Sequence, residues 1–143
     1  MTRHEVLLGG PNEQRFGLAR AVRVGNQVSV GGTAAIRADG TNIPADDIAG
    51  QAARVWEIVG QALAAAGARP SDVVRTRTML VRVEDAPIAI AARRAFLDGT
   101  MAAETIVQVV GFVDPAWQIE VEADAIIPEP VVPDLVVPGS AGG

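Results

Sequence analysis

Residues 18–33 read LARAVRVGNQVSVGGT, and this stretch decides the fold. Valines alternate with polar residues on both sides of Gly25-Asn26, the pattern of strands with one buried face. Gly and Asn tolerate the positive φ that a tight two-residue hairpin turn needs. The pattern predicts antiparallel strands over about 18–24 and 27–33, followed by a turn-rich loop at RADGTNIP.

Downstream, PADDIAGQAARVWEIVGQALAAAGARPSD predicts a helix. Pro44, Asp46 and Asp47 suit its start and its dipole. Ile48, Ala52, Val55, Val59, Ala62 and Ala66 fall on one stripe, and Gly67 and Pro70 end it. Gly60, inside it, costs about 1 kcal/mol against Ala and points to close packing on a sheet. Trp56 reads as core or as a helix–helix contact. DVVRTRTMLVRVED alternates again, with Val73, Arg75, Arg77 and Met79 on one face and Val74, Thr76, Thr78 and Leu80 on the other. A second helix starts at Asp85 and Pro87 and runs through IAIAARRAFLDG to Gly99, with Arg93 and Arg94 read as a solvated face. Two strands follow at about 104–112 and 117–127, joined by VDPA, and HEVLL reads as a short first strand. The expected class is α+β: a mixed sheet with two helices on one face. The other face would be bare in a monomer, which favours oligomerisation. One domain spans 1–127, and the Pro- and Gly-rich 128–143 reads as a tail.

Composition narrows the function. The 143 residues carry a net charge of −5, with scattered arginines and no basic run, so nucleic acid is an unlikely partner. There is no cysteine, and His4 is the one histidine. Thiol nucleophiles, thiolate metal sites and Ser-His-Asp triads are therefore disfavoured, and neither a metal nor a cofactor is expected. No apolar run approaches the roughly eighteen residues of a membrane span, and the N-terminus lacks the apolar core of a secretory signal. The expected location is cytoplasmic.

Together, GLARAVRVGNQVSVGGTA, the Gln51–Trp56–Leu63 helix leading into DVVRTRTML, and ETIVQVVGFVDPAWQIEVEADAI resemble the RidA/YjgF family over about residues 13–127. The resemblance implies a chorismate-mutase-like fold and a homotrimer with small-molecule pockets at the subunit clefts. It implies cofactor-free hydrolysis of reactive imines or enamines such as 2-aminoacrylate to keto acids and ammonia. The family also carries an endoribonuclease label.

The family's P-A-R-[ST] arginine, which grips the substrate carboxylate, corresponds here to Glu104 within MAAET. A carboxylate there would repel a bound carboxylate by about 4 kcal/mol at 4 Å and an effective dielectric of 20. A substrate other than 2-aminoacrylate is therefore expected. Arg77 is a candidate compensation: it can pair with Glu104 or Glu120, hold a ligand's anion, or lie at the surface. Glu120 matches the family's last-strand glutamate and is the candidate catalytic residue, a general base or water-positioner. Glu122 and Asp124 share its face and read as structural. Thr33, with the Gly32 backbone, Glu104, Phe16 and Trp117 complete the candidate substrate-binding set. A non-catalytic ligand- or protein-binding trimer is the alternative.

Overall fold

The computed structural model describes residues 1–129; the segment read as a tail lies mostly outside them. Nine principal elements follow in chain order: β1 (Arg3–Val6), α1 (Pro11–Phe16), β2 (Ala21–Val24), β3 (Gln27–Ala34), α2 (Ile48–Ala65), β4 (Val73–Leu80), α3 (Ala86–Leu97), β5 (Ala103–Gln108) and β6 (Ile119–Ile126). They build one six-stranded sheet in the order β1-β2-β3-β6-β4-β5. Neighbouring strands are antiparallel except β4 and β5, which are parallel. A parallel pair needs a crossover, and α3 supplies it. The fold is the expected α+β arrangement of a mixed sheet with helices.

The hairpin forms where the alternation places it. Gly25 takes φ 60°, and Val24 pairs with Gln27 and Ala21 with Val30. Asp47 caps α2 by accepting from the Gly50 amide at 2.9 Å, which satisfies a donor the helix itself cannot use. Ala52, Val55, Val59 and Ala62 are fully buried under it. Gln51, also fully buried, fastens α2 to two loops. Its Nε2 donates to Ile43 O, Pro44 O and Ala116 O at 2.9–3.1 Å, and its Oε1 accepts from the Gln118 amide at 2.9 Å. Gly60 serves helix–helix rather than helix–sheet packing: a methyl there would stand 3.4 Å from the Phe96 ring of α3. Phe96 stacks on Trp56 with centroids 5.0 Å apart.

Four expectations are corrected. First, a bulge between Val73 and Arg75 shifts the β4–β6 register. It turns buried Val73 to the same side as Thr76, Thr78 and Leu80 and leaves Val74 exposed. A bulge inserts one residue and so breaks simple alternation. Second, β5 ends at Gln108 rather than near 112. Val110 and Val113 beyond it are exposed, and they flank Gly111, which weakens a strand. Third, the short helix α1 lies in a stretch to which the sequence assigned no element. Six residues are too few to show a helical stripe. Fourth, Arg93 of α3 is not solvated: its side chain is 13% exposed and ion-paired.

The helices cover one sheet face, where Ile119, Val121, Ala123 and Ala125 are buried. Glu120, Glu122 and Asp124 alternate with them on the other face. By cross-strand register, Met79, Arg77 and Arg75 sit beside these acids.

Candidate functional site

The site grows from the end of the hairpin. Between Val30 and Thr33 the β3–β6 register shifts by one residue, Gly31 and Gly32 together standing opposite Glu122. Glycine allows another chain group to approach the backbone closely there. Glu120 of β6 occupies that space: a methyl at Gly32 would stand 3.4 Å from its Oε2. Arg20, just before β2, occupies the other side: a methyl at Gly31 would stand 3.4 Å from its Nη2. That Nη2 donates to Gly32 O at 2.7 Å. Burial pushes the Glu120 carboxyl above its ordinary value of 4.5, opposed by Arg20 and reinforced by Glu122. Burial also pulls the Arg20 guanidinium below its ordinary value, opposed by Glu13 and Glu120. The result is a half-buried carboxyl biased toward its neutral form beside a cation. A carboxyl perturbed by burial and by a specific charge partner is a general-base candidate.

Two cavities lie nearby; Arg20 is among the residues that wall the first, and Glu120 is among those of neither. One, of about 180 Å³, is walled by Leu8, Glu13, Arg20, Ala34, Ile36 and Ile58, among others. Ala34 is the register partner of Glu120. Glu13 of α1 is buried and holds the wall by accepting from the Leu8 and Gly9 amides at 2.7 and 3.0 Å. The second, of about 390 Å³, shares Pro11, Asn12 and Ile36 with the first and brings Phe16 and Trp117 together. Trp117 is 6% exposed. Its indole N–H donates to Asn42 Oδ1 at 2.9 Å, and Asn42 Nδ2 donates to Asp114 Oδ2 at 2.9 Å. The Ala116 amide and Asn42 together hold the Asp114 carboxyl below its ordinary range.

The remaining candidates are not among the residues that wall these two cavities. Thr33 is fully buried, pairs with Val121, and donates its hydroxyl to Gly31 O at 2.8 Å. Arg77 pairs with Glu122 at 3.6 Å, both side chains about two-fifths exposed. That is an exposed pair of small energetic weight, and it is made with neither Glu104 nor Glu120. Glu104 is paired instead with Arg93: Oε2 stands 2.6 Å from Arg93 Nε, and the two side chains are 17% and 13% exposed. Thr78 donates to the same oxygen at 3.2 Å. Arg93 also donates to Thr76 Oγ1 at 2.6 Å and to Ala102 O at 3.0 Å. Glu104 Oε1 has no protein partner.

Sequence reasoning missed Arg20, Glu13 and Arg93. The first was recoverable. Counting outward from Gly25-Asn26 pairs 24 with 27 and 21 with 30, so residue 20 falls opposite Gly31, whose amide donates to Arg20 O at 3.1 Å. Glu13 and Arg93 left no signal, because their burial depends on loop and helix placement.

Among the described residues no cluster of His, Cys, Asp and Glu is placed to hold a metal ion, and no helix is long and apolar enough to cross a membrane. The family model for endoribonuclease L-PSP matches residues 13–127. An uncharacterized protein of Streptomyces coelicolor is 32% identical over 120 residues, covering 82% of this chain and 87% of that protein. The crystal structure of a YjgF/YER057c/UK114 family member from Mycobacterium tuberculosis is 30% identical, with a TM-score of 0.78 over 88% of this chain and 100% of that one. RidA from an Antarctic Psychrobacter shares the fold, with a TM-score of 0.73 and 23% identity over 86% of this chain and 94% of its own. The chain belongs to the endoribonuclease L-PSP family, that is, the RidA/YjgF family.

Proposed function

We propose that the protein binds a small molecule and hydrolyses an imine or enamine C–N bond without a cofactor, on a substrate other than 2-aminoacrylate. The working unit is a homotrimer with its ligand at the subunit clefts, located in the cytoplasm. The observation that carries this reading is Glu120: a carboxyl with its pKa raised, packed over Gly32 and beside Arg20. In the proposed step Glu120 takes a proton from water as the oxygen adds to the imine carbon, and passes it to the nitrogen. The resulting carbinolamine collapses, its C–N bond breaks, and ammonia and a carbonyl product leave. A general base needs hydrogen-bond reach and a pKa near working pH, and burial moves Glu120 toward that condition. The exclusion of 2-aminoacrylate rests on Glu104, which stands at the family's anchor position and is occupied by Arg93.

The test is ammonia release from a panel of imines generated in situ by amino-acid oxidases and by amine oxidases, with and without purified protein. Acceleration lost in Glu120→Gln is expected, with little effect on 2-aminoacrylate. An equal rate in Glu120→Gln would overturn the reading. The closed Arg93–Glu104 pair favours one alternative, a non-catalytic binding trimer of the same fold. That alternative expects ligand binding with no acceleration anywhere in the panel.

A further inference from the structure

On the outer side of the helix layer, an open groove of about 360 Å³ runs between α2 and α3. Ala53, Trp56 and Gly60 wall it from α2, and Ala92, Ala95 and Phe96 from α3. Trp56 and Phe96 are the stacked pair, with centroids 5.0 Å apart, so the lining is aromatic at depth. Ala53 and Ala95, at its rim, are exposed. Glu57 is the charged residue of its wall, and that carboxylate is already paired with Arg54 at 2.9 Å. Burying a charge without a partner is costly, so the groove suits an uncharged, apolar occupant.

The described chain ends at the mouth of this groove. β6 lies between β3 and β4. α2 packs on β3 and β6, and Arg93 of α3 bonds Thr76 of β4, so β6 runs beneath the seam between the helices. Gln51, in the first turn of α2, bonds the Gln118 amide just before β6. Ala66, past the last turn, accepts from Arg23 beside the hairpin turn at 2.8 Å. α3 crosses back from the end of β4 and stops near its start, where Val73 pairs with Ala125. Both helices therefore end where β6 ends. There the Ile127 amide donates to Asn26 O at 2.8 Å, and the Ile127 side chain packs against the helix-side core. The chain leaves the sheet on the helix side.

Residues 130–143 lie outside the described residues, and their sequence opens with Pro130-Val131-Val132-Pro133. These four are uncharged, and Glu129 and Asp134 bound them. Prolines three apart share one face of a polyproline II helix. Aromatic-lined grooves take up such segments because little conformational freedom is lost. The lengths agree. Pro130–Pro133 spans about 9 Å at 3.1 Å per residue, and Ala53–Gly60 about 10 Å at 1.5 Å per helical residue. Gly60 lies about 9 Å short of Ala66 along α2, and Ile127–Pro130 covers about the same distance. A segment on so short a tether is present at an effective concentration on the order of millimolar.

We infer that the α2–α3 groove is a docking site for an extended proline-containing segment, and that its occupant is this chain's own Pro130–Pro133. The contact lies on the helix side of the sheet, opposite the face that carries Glu120, and it draws nothing from the hydrolase reading.

The chain has no cysteine, so Asp134→Cys carries a single nitroxide in the ¹⁵N-labelled full chain. The nitroxide is expected to broaden the amide resonances of Ala53, Gly60 and Ala92 beyond detection, leaving Arg3 and His4 on the far edge strand sharp. Pro130→Ser with Pro133→Ser should restore the groove resonances. Ala53→Arg should restore those of Gly60 and Ala92 from the other side: it fills the groove at an exposed helical position where arginine is a good helix former, so the fold is kept. Groove resonances that stay sharp in Asp134→Cys, or broadening that survives both sets of substitutions, would overturn the inference. A last arm mixes ¹⁵N wild-type chains with an excess of unlabelled nitroxide-bearing chains. Sharp groove resonances are expected there; broadening as strong as within one chain would give the groove to a second copy and overturn the assignment of its occupant.

Discussion

The pair Arg93–Glu104 permits a quantitative test. The two charges stand 2.6 Å apart, which at an effective dielectric of 20 is an attraction of about 6 kcal/mol. Both side chains are more than four-fifths buried, so each also loses several kcal/mol of hydration on folding, and the net value of the pair is far below the gross attraction. Removing one partner leaves the other charge buried with that loss uncompensated. In Glu104→Ala, Arg93 retains the neutral acceptors Thr76 Oγ1 and Ala102 O. The expected loss is therefore at the lower end of the range for broken buried pairs, about 3 kcal/mol, or roughly a 10 °C fall in Tm for a chain of this size. Arg93→Ala should cost a similar amount. The double variant should cost clearly less than the sum, with a coupling energy of about 2 kcal/mol. Glu104→Arg, which restores the residue of the family motif, should be worse than Glu104→Ala, because two guanidiniums would share one site. Adding Arg93→Glu to it should recover most of the loss. Urea denaturation of the four proteins of the cycle measures this directly. A coupling below about 0.5 kcal/mol, the scatter of independent sites, would refute the reasoning and leave the pair as a coincidence of packing.

The other expectations concern the site. Burial raises the Glu120 carboxyl above 4.5, so the folded state binds its proton more readily than the unfolded state does. Its contribution to stability is thus lost as pH rises from 4.5 through the folded value; Glu120→Gln should denature at higher urea than wild type at neutral pH and equally at pH 4. The acid limb of kcat/KM in the wild-type protein should lie above the ordinary carboxyl value of 4.5. Gly32→Val should fold with a loss of about 1–2 kcal/mol yet abolish turnover, because its side chain fills the space against Glu120 Oε2; thermal melts and the imine assay together read this. Asn42→Ala leaves the nearly buried Trp117 N–H unpaired and should cost about 1–3 kcal/mol, with a change in Trp117 fluorescence as the local readout.

Much of the scaffold was legible because its signals are local. The Gly25-Asn26 turn, the Asp47 cap and the stripe from Ala52 to Ala62 each follow from a few neighbouring residues. Alternation also placed Glu120 and Glu122 on one face and Val121 and Ala123 on the other. The failures share a cause: each depends on something periodicity does not encode. One bulge moved Val73 across the sheet. A second created the Gly31-Gly32 space, in which Glu120 and Arg20 meet. Arg93 looked like a surface residue because arginine usually is one, and only the parallel placement of β5 beside β4 brings Glu104 under α3.

The charge at position 104 illustrates why a motif departure has to be read with its partner. Taken alone, a glutamate in place of an arginine is a repulsive wall against any carboxylate ligand. Paired with Arg93 it is a largely compensated dipole, and its effect on an approaching anion is much weaker than the isolated charge implies. The departure therefore removes an anchor without installing a strong barrier. An approaching ligand then meets the half-buried Glu120 and Arg20 at the Gly31-Gly32 bulge rather than a bare charge at 104. Neutralising Glu104 to Gln should therefore leave the rates across the imine panel little changed. If Glu104→Gln by itself raised the rate on a carboxylate-bearing imine tenfold, the charge at 104 would be acting uncompensated, and the pairing with Arg93 could not be the reason the substitution is tolerated.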